Sequence, residues 1–154
     1  MKLLKRFGFF VVLLFVIFSC EKDESGEGRT MISQQNDNES HKNGQDCLRC
    51  HKSGGDGKGW FVAAGSVYNS TKQTPYPNGT VKLYSEANGK GTLIGSIEVD
   101  GKGNFYSTEN IDFEKGLYTI VTGTDGKIKT MIAPITTGAC NSCHGNSTDN
   151  IWIE

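Results

Sequence analysis

The pattern Cys-x-x-Cys-His occurs twice in this chain and uses most of its residues with metal or thiol chemistry. The first copy is CLRCH at residues 47–51, and the second is CNSCH at residues 140–144. Together they contain four of the five cysteines and two of the three histidines, with 89 residues between Cys50 and Cys140. Each copy places two thiols directly before an imidazole. The fold must therefore accommodate two sites that have the same three reactive side chains.

The two motifs resemble the haem-attachment sites of the c-type cytochromes. In that family, two thiols separated by two residues add to the two vinyl groups of a haem, and the next histidine binds the iron. Such attachment takes place outside the cytoplasm. The resemblance implies two covalently attached haem c groups, held by the thiols of Cys47, Cys50, Cys140 and Cys143 and bound at iron by His51 and His144.

Three other chemistries use paired cysteines. A zinc site made of two Cys-x-x-Cys knuckles usually has about 15–20 residues between the knuckles, far fewer than this chain has. A thioredoxin-like redox pair requires a βαβ context, which the sequence does not indicate. Two structural disulfides in an exported protein remain an alternative, although disulfides leave the two histidines without a role.

His41 and Met131 are the candidates for a distal ligand, on the other side of an iron. His41 is the only histidine outside the motifs and lies six residues before Cys47; an extended segment of that length spans about 20 Å, so His41 could reach either iron. Strand alternation puts Met131 on the face with Lys127 and Lys129, away from the expected core. The alternatives are a solvated histidine in a flexible segment and a methionine with a packing role.

The first 19 residues have the features of a secretory signal peptide. Three basic residues precede an apolar run over residues 7–18, which is too short to span a bilayer as a helix and is typical of an export signal. The sequence IFSC at residues 17–20 resembles the lipobox of bacterial lipoproteins. The resemblance implies a mature chain that begins at a lipidated Cys20 and is anchored to a bacterial membrane, in the periplasm or on the outer-membrane surface.

Residues 20–46 are predicted to form a lipid-anchored, flexible tether. In this segment Met31 and Ile32 are the only large apolar residues, which is too little apolar surface for independent folding. Residues 47–154 have the length of one small domain. Because the ends of a domain often lie close together, we expect the two Cys-x-x-Cys-His motifs to meet at one end of it.

The region between the motifs has the pattern of a β-domain. Short runs rich in Val, Ile, Thr, Tyr and Phe alternate with Asn-Gly and Asp-Gly turn signals, and no stretch has a sustained helical period. In the last of these runs, residues 127–132, strand alternation predicts that Ile128 and Ile132 face the core. The sequence therefore predicts a single, mainly β domain, an antiparallel sandwich or barrel. The predicted strands cover residues 60–68, 80–84, 92–99, 104–107, 116–122 and 127–132.

Four stretches resemble successive strands of the carboxypeptidase-regulatory or transthyretin-like β-sandwich. They are GSVY at residues 65–68, TPYPNGTVKLY at 74–84, VDGKGNFY at 99–106 and GLYTIV at 116–121. The resemblance implies a small antiparallel sandwich of the Ig or transthyretin-like kind, flanked by the two haem-attachment segments. Such a module is a rigid scaffold and does not by itself indicate an activity.

These features predict a membrane-anchored dihaem c-type cytochrome that carries electrons between redox partner proteins. No acid–base groups for peroxide cleavage stand out, so we expect an electron carrier and not an enzyme. The formal net charge of -1 gives no basic face for nucleic acid. The alternative is a non-redox surface lipoprotein with a disulfide-stapled sandwich that binds glycan or protein through exposed aromatic residues. The candidate aromatic residues are Trp60, Tyr68, Tyr76 and Trp152.

Overall fold

A computed structural model describes residues 29–154 of the chain. The expectations for the signal peptide, for lipidation of Cys20 and for the first part of the tether fall on residues 1–28, outside the described residues. Across residues 29–154, no helix has the length and apolar character needed to cross a membrane.

The part of the chain that the structure describes forms eight strands in two sheets. The first sheet has the order β4-β1-β7, with β8 also paired to β1, and the second has the order β3-β2-β5-β6. The prediction of a mainly β protein is confirmed. The strands are β1 Ala63–Tyr68, β2 Thr80–Glu86, β3 Lys90–Glu98, β4 Asn104–Ser107, β5 Tyr118–Thr122, β6 Ile128–Thr130, β7 Gly138–Ala139 and β8 Ile151–Trp152.

Strand pairing is antiparallel within the second sheet and mixed in the first. β2 pairs antiparallel with β3 and β5, and β1 pairs antiparallel with β4. In contrast, β1 pairs in parallel with β7 and with β8. The prediction of a purely antiparallel arrangement is therefore wrong for β1, because β7 and β8 reach it through long connections, as parallel strands require.

The β2–β3 connection shows how the turn residues set the strand boundaries. Asn88 and Gly89 both have positive φ, 60° and 71°, a backbone conformation that Asn and Gly adopt at low cost. The chain reverses there, and β2 and β3 pair from Glu86 and Lys90 back to Thr80 and Glu98. The Asn-Gly signal in the sequence correctly predicted this turn.

One hydrophobic core joins the two sheets. Val67 of β1 and Phe105 of β4 belong to the same buried cluster as Val81 of β2 and Ile97 of β3. Phe105 is 1% exposed, and its ring lies directly against Gly65, where an added Cβ would be 2.6 Å from Phe105 Cζ. The absence of a side chain at residue 65 therefore makes room for the largest fully buried side chain.

The burial of β6 differs from its predicted alternation. Ile128 is 63% exposed and Ile132 is 92% exposed, whereas Lys129 and Met131 are half-buried. The prediction that Ile128 and Ile132 face the core is wrong. β6 is a three-residue strand at the edge of its sheet and pairs only with β5, so alternation alone does not determine which of its faces is covered.

Residues 29–46 lie against the β-domain. The buried Ser33 donates its hydroxyl to Glu98 O at 2.6 Å and accepts a bond from Tyr106 N at 3.0 Å. Further along, Gly101 N donates to Asp37 O at 2.7 Å. Hydrogen bonds therefore hold residues 29–46 against the β-domain, which differs from the prediction of a flexible tether up to residue 46.

We predict that Phe105→Ala lowers the free energy of unfolding by about 3–5 kcal/mol, the usual cost of emptying a buried aromatic site. Ile128→Ala is the matched control, because that side chain is largely exposed and its truncation should change stability by less than about 0.5 kcal/mol. Urea unfolding followed by far-UV circular dichroism measures both values. Equal effects of the two substitutions would contradict the assignment of Phe105 to the common core.

Candidate functional site

Both Cys-x-x-Cys-His motifs pack against strand β1. The first motif precedes β1 in the chain, and the second lies between β7 and β8, which pair in parallel with the two halves of β1. The segments beside the motifs also approach each other, since a Cβ at Gly145 would lie 3.8 Å from Gly44 O. The expectation that the two motifs meet is confirmed.

The two motifs have the same local backbone structure. Each begins with one turn of 3-10 helix, Cys47–Arg49 in the first and Cys140–Ser142 in the second. In the first motif, Cys47 O accepts bonds from the amides of the second cysteine and the histidine at 3.2 and 2.9 Å. In the second motif, Cys140 O accepts the equivalent bonds at 3.3 and 3.0 Å. Each motif thus holds two thiols and an imidazole on the same local backbone structure.

Each motif histidine is held through the same ring nitrogen. His51 Nδ1 lies 2.9 Å from Lys58 O, and His144 Nδ1 lies 2.7 Å from Asp149 O. A carbonyl oxygen can only accept, so Nδ1 carries the hydrogen in both rings. Nε2 of the neutral ring then keeps its lone pair. Metal-binding histidines commonly have this arrangement, with the second nitrogen donating to a carbonyl.

The thiols of each motif divide into one half-buried and one exposed group. Burial raises the pKa of the Cys47 thiol to about 11, with a further contribution from the charge of Asp46. Burial likewise raises the pKa of Cys140 to about 12, and a charge on the nearby Cys47 adds to this effect. Cys50 and Cys143 are exposed, and all four thiols are free. The structure therefore presents four unpaired thiols, one half-buried and one exposed in each motif.

A cavity of about 690 Å³ lies directly beside the second motif. Its wall includes Cys140, Cys143 and His144 of the motif, together with Met131 and Ile132. This volume falls in the usual range of cofactor pockets, about 300–1,000 Å³. Met131, one of the two candidate distal ligands, thus faces the same cavity as the second motif. Its amide donates to Thr119 O at 2.9 Å, which fixes the backbone there.

His41, the other candidate distal ligand, lies beside the first motif. Its ring centre is 6.0 Å from that of His51, and the two ring planes are inclined by 36°. The neighbouring residues hold it there, because Asn43 donates to Lys102 O at 2.6 Å and Asn104 donates to the Ser40 hydroxyl at 2.8 Å. The structure therefore gives one candidate distal ligand to each motif.

Sequence reasoning missed two residues that contact His51. Lys58 contributes only its backbone carbonyl, so no side-chain pattern could have marked it. The ring of Phe61 stacks on His51 with centres 4.1 Å apart and planes inclined by 5°. In the sequence, Phe61 reads as a strand residue, yet β1 begins two residues later at Ala63.

None of the four aromatic residues named for the alternative binding function is fully exposed. Tyr68 is 7% exposed, so its placement among exposed aromatic residues is wrong; it lies in β1 and belongs to the interior. Trp60, Tyr76 and Trp152 are half-buried. Lys129 lies over the Trp152 ring, and the Tyr76 hydroxyl is 2.9 Å from that of Thr124.

Comparison with known proteins yields no match. No protein-family model matches the chain, and no curated protein or solved structure does so either. Among residues 29–154, no group of three or more His, Cys, Asp or Glu side chains is arranged to hold a metal ion by itself. The function proposed below therefore depends on the motif residues and their geometry.

We predict that the thiols of haem-free, folded protein react unequally with iodoacetamide at pH 8. The thiolate is the nucleophile, and a raised pKa keeps a thiol protonated until the pH approaches that pKa. Cys47 and Cys140, with pKa values of about 11 and about 12, should therefore be alkylated at least about tenfold more slowly than ordinary thiols. Their exposed motif partners Cys50 and Cys143 should react first.

Peptide mass spectrometry over a time course measures the four rates. The same chain unfolded in urea is the control, because all four thiols should then react at similar rates. Equal rates in the folded protein would contradict the described burial. No labelling before reduction would instead indicate two disulfides and favour the alternative lipoprotein.

Proposed function

We propose that this chain is a membrane-anchored c-type cytochrome that carries two covalently attached haem c groups. Cys47 and Cys50 would attach the first haem, with His51 as its iron ligand. The second would be attached and bound by Cys140, Cys143 and His144. The protein would carry electrons between redox partner proteins outside the cytoplasm, and the haem groups would supply the one-electron chemistry.

The observation that carries the proposal is the equivalence of the two motifs. Each presents its thiols from one 3-10 turn, and each directs histidine Nδ1 at a backbone carbonyl. A disulfide needs only the two cysteines and gives the histidine no role. A haem c site uses both thiols and an unprotonated imidazole nitrogen, which is the full set that each motif presents.

The surroundings of the second motif also fit a large, flat, mostly apolar group. Ile132 is 92% exposed and lines the 690 Å³ cavity beside Cys140 and His144. The accessible wall of this cavity is mainly apolar, which suits the faces of a large apolar cofactor. A porphyrin attached at Cys140 and Cys143 would cover Ile132 and exclude water from the cavity.

The distance between His41 and His51 fits a pair of ligands on one iron. An imidazole nitrogen lies about 2 Å from a metal that it binds, so two imidazoles on opposite sides of one iron have their centres about 6–7 Å apart. The observed distance of 6.0 Å is close to this value. We therefore assign His41 as the distal ligand of the first haem. The hydrogen bonds around Ser40 and Asn43 would keep it in position.

For the second haem, we propose Met131 as the distal ligand. It lines the same cavity as His144 and lies on a backbone fixed by its bond to Thr119. Thioether ligation raises the reduction potential of a haem relative to bis-histidine ligation. The two haems would then have unequal potentials, with the electron residing mainly on the second.

The β-domain would serve as the scaffold, in the manner of the transthyretin-like sandwich that its sequence resembles. Two four-stranded sheets around one core would hold the attachment segments at fixed positions on β1. Two haems held by neighbouring segments would exchange electrons rapidly. Lipidation at Cys20 would keep the pair near a bacterial membrane, in the periplasm or on the outer-membrane surface.

We expect the mature chain, produced together with the haem-attachment machinery, to be red and to contain two irons that remain bound after denaturation. The double variant Cys47→Ala/Cys50→Ala should contain one, and so should Cys140→Ala/Cys143→Ala, since each thiol pair attaches its own haem. Reduced-minus-oxidised spectra and iron analysis measure these values. Cys20→Ala is the matched control, and it should keep both irons while losing membrane association.

A colourless protein with four paired cysteines would overturn the cytochrome and leave the non-redox lipoprotein that binds glycan or protein. Loss of both haems from either double variant would argue against two independent attachment sites. Retention of two haems in both variants would show that the thiols are not the attachment points.

We predict that the distal ligands can be removed one at a time. His41→Ala should free one iron, so that the reduced protein gains one equivalent of carbon monoxide binding. Met131→Ala should abolish the weak far-red absorption band of thioether ligation and free the other iron. Lys52→Ala, which changes an exposed residue beside the first motif, should leave both spectra unchanged. Carbon monoxide binding that is the same in His41→Ala and wild type would contradict the first assignment.

A further inference from the structure

We propose that Gly57, Lys58 and Phe61 form a clamp that fixes the plane of the His51 imidazole, and that the second motif has no such clamp. The inference rests on the proposed function, because it takes His51 as an iron ligand. In this role Phe61 is a positioning residue, since it contacts the ligand and not the iron. The clamp would make the two haems differ in how firmly the protein orients their proximal ligands.

Phe61 supports one face of His51 and is itself supported by the first sheet. The His51 and Phe61 rings are 4.1 Å apart and nearly parallel, at 5°. Phe61 also stacks on the ring of Tyr106, whose centre is 4.8 Å away and whose plane is inclined by 16°. Tyr106 lies in β4 and pairs with Ala64 of β1. The stack of three rings therefore holds the imidazole in place against the first sheet.

The loop between His51 and Phe61 closes around the ring. Phe61 N donates to His51 O at 3.0 Å, and Gly57 N donates to Cys50 O at 2.9 Å. At Gly57, an added Cβ would lie 2.7 Å from both Cγ and Nδ1 of His51, so the loop contacts the imidazole closely. The Lys58 carbonyl accepts a hydrogen bond from His51 Nδ1, and this bond restricts rotation of the ring.

In the second motif, hydrogen bonds hold the histidine ring. His144 Nδ1 lies 2.7 Å from Asp149 O and 3.3 Å from Thr148 Oγ1. Among residues 29–154, ring contacts occur at His51 but not at His144. Two motifs with the same backbone thus differ in how they hold the imidazole.

The plane of an axial imidazole has an electronic consequence. Ligand orientation and hydrogen bonding in the surrounding shell tune a haem iron. For ferric low-spin haem, the electron paramagnetic resonance spectrum depends on the angle between the axial ligand planes. A clamped His51, at 36° to His41, predicts a narrow rhombic signal from the first haem. A rotating His51 would give a spread of angles and a broad signal.

The test compares Phe61→Leu with Phe61→Tyr in the full haem-loaded protein. Phe61→Leu keeps apolar bulk but removes the stacked ring, so the narrow signal of the first haem should broaden and its midpoint potential should shift. Phe61→Tyr keeps the ring and should retain the wild-type signal. In both variants the signal and potential of the second haem should not change. Tyr106→Phe is a further control that preserves the stack.

Gly57→Ala tests the contact between the loop and the His51 ring. Its Cβ would collide with His51, so the narrow signal should move to a new position and not simply broaden. Iron content and far-UV circular dichroism verify that each variant folds and binds both haems. An unchanged first-haem signal in both Phe61→Leu and Gly57→Ala, with two irons bound, would overturn the clamp. Wild-type protein without haem would instead overturn the proposed function.

Discussion

The hydrogen bonds of strand β1 determine where both Cys-x-x-Cys-His segments lie. All six residues of β1 are buried. One edge bonds to β4, and β7 and β8 pair in parallel with β1 at its two ends. β7 ends directly before the second motif and β8 begins seven residues after it. The first motif leads into β1 through the loop that ends at Phe61. A change that weakens β1 would therefore separate the two sites as well as destabilise the sheet.

The two sites share a backbone and differ in their surroundings. A closed loop, a stacked ring and a docked polar segment surround the first, whereas the second borders a cavity with a largely apolar wall. In a protein with two identical cofactors, the surroundings are what distinguish their potentials, because axial ligand, burial and hydrogen bonding are the properties that the protein controls. If the proposed haems are present, the same motif with different neighbours would therefore give two centres of unequal potential in one small domain.

The sequence predicted the features that depend on local chemistry. Turn residues marked the β2–β3 hairpin, and the two motifs name the six residues on which the proposed haem sites depend. It could not predict β7 and β8, because a two-residue strand has no alternation to detect. It also missed the docking of residues 29–46, which depends on polar contacts such as those of Ser33 with β3 and β4. Hydrophobic content carries no information about such contacts. The exposure of Ile132 was missed for a related reason, since the cavity that it borders forms only in three dimensions.

The docked segment also sets how far the domain can move from a membrane. If Cys20 is lipidated, the nine peptide steps from it to Arg29 span at most about 30 Å, whereas a free tether up to Asp46 would span about 90 Å. Reducing the reach threefold reduces the volume that the domain can explore by about thirtyfold, which raises its effective concentration toward a partner held in the same bilayer. If the chain is lipidated and carries haem as proposed, the hydrogen bonds that dock residues 29–46 would thus favour electron exchange with membrane-bound partners over freely diffusing ones.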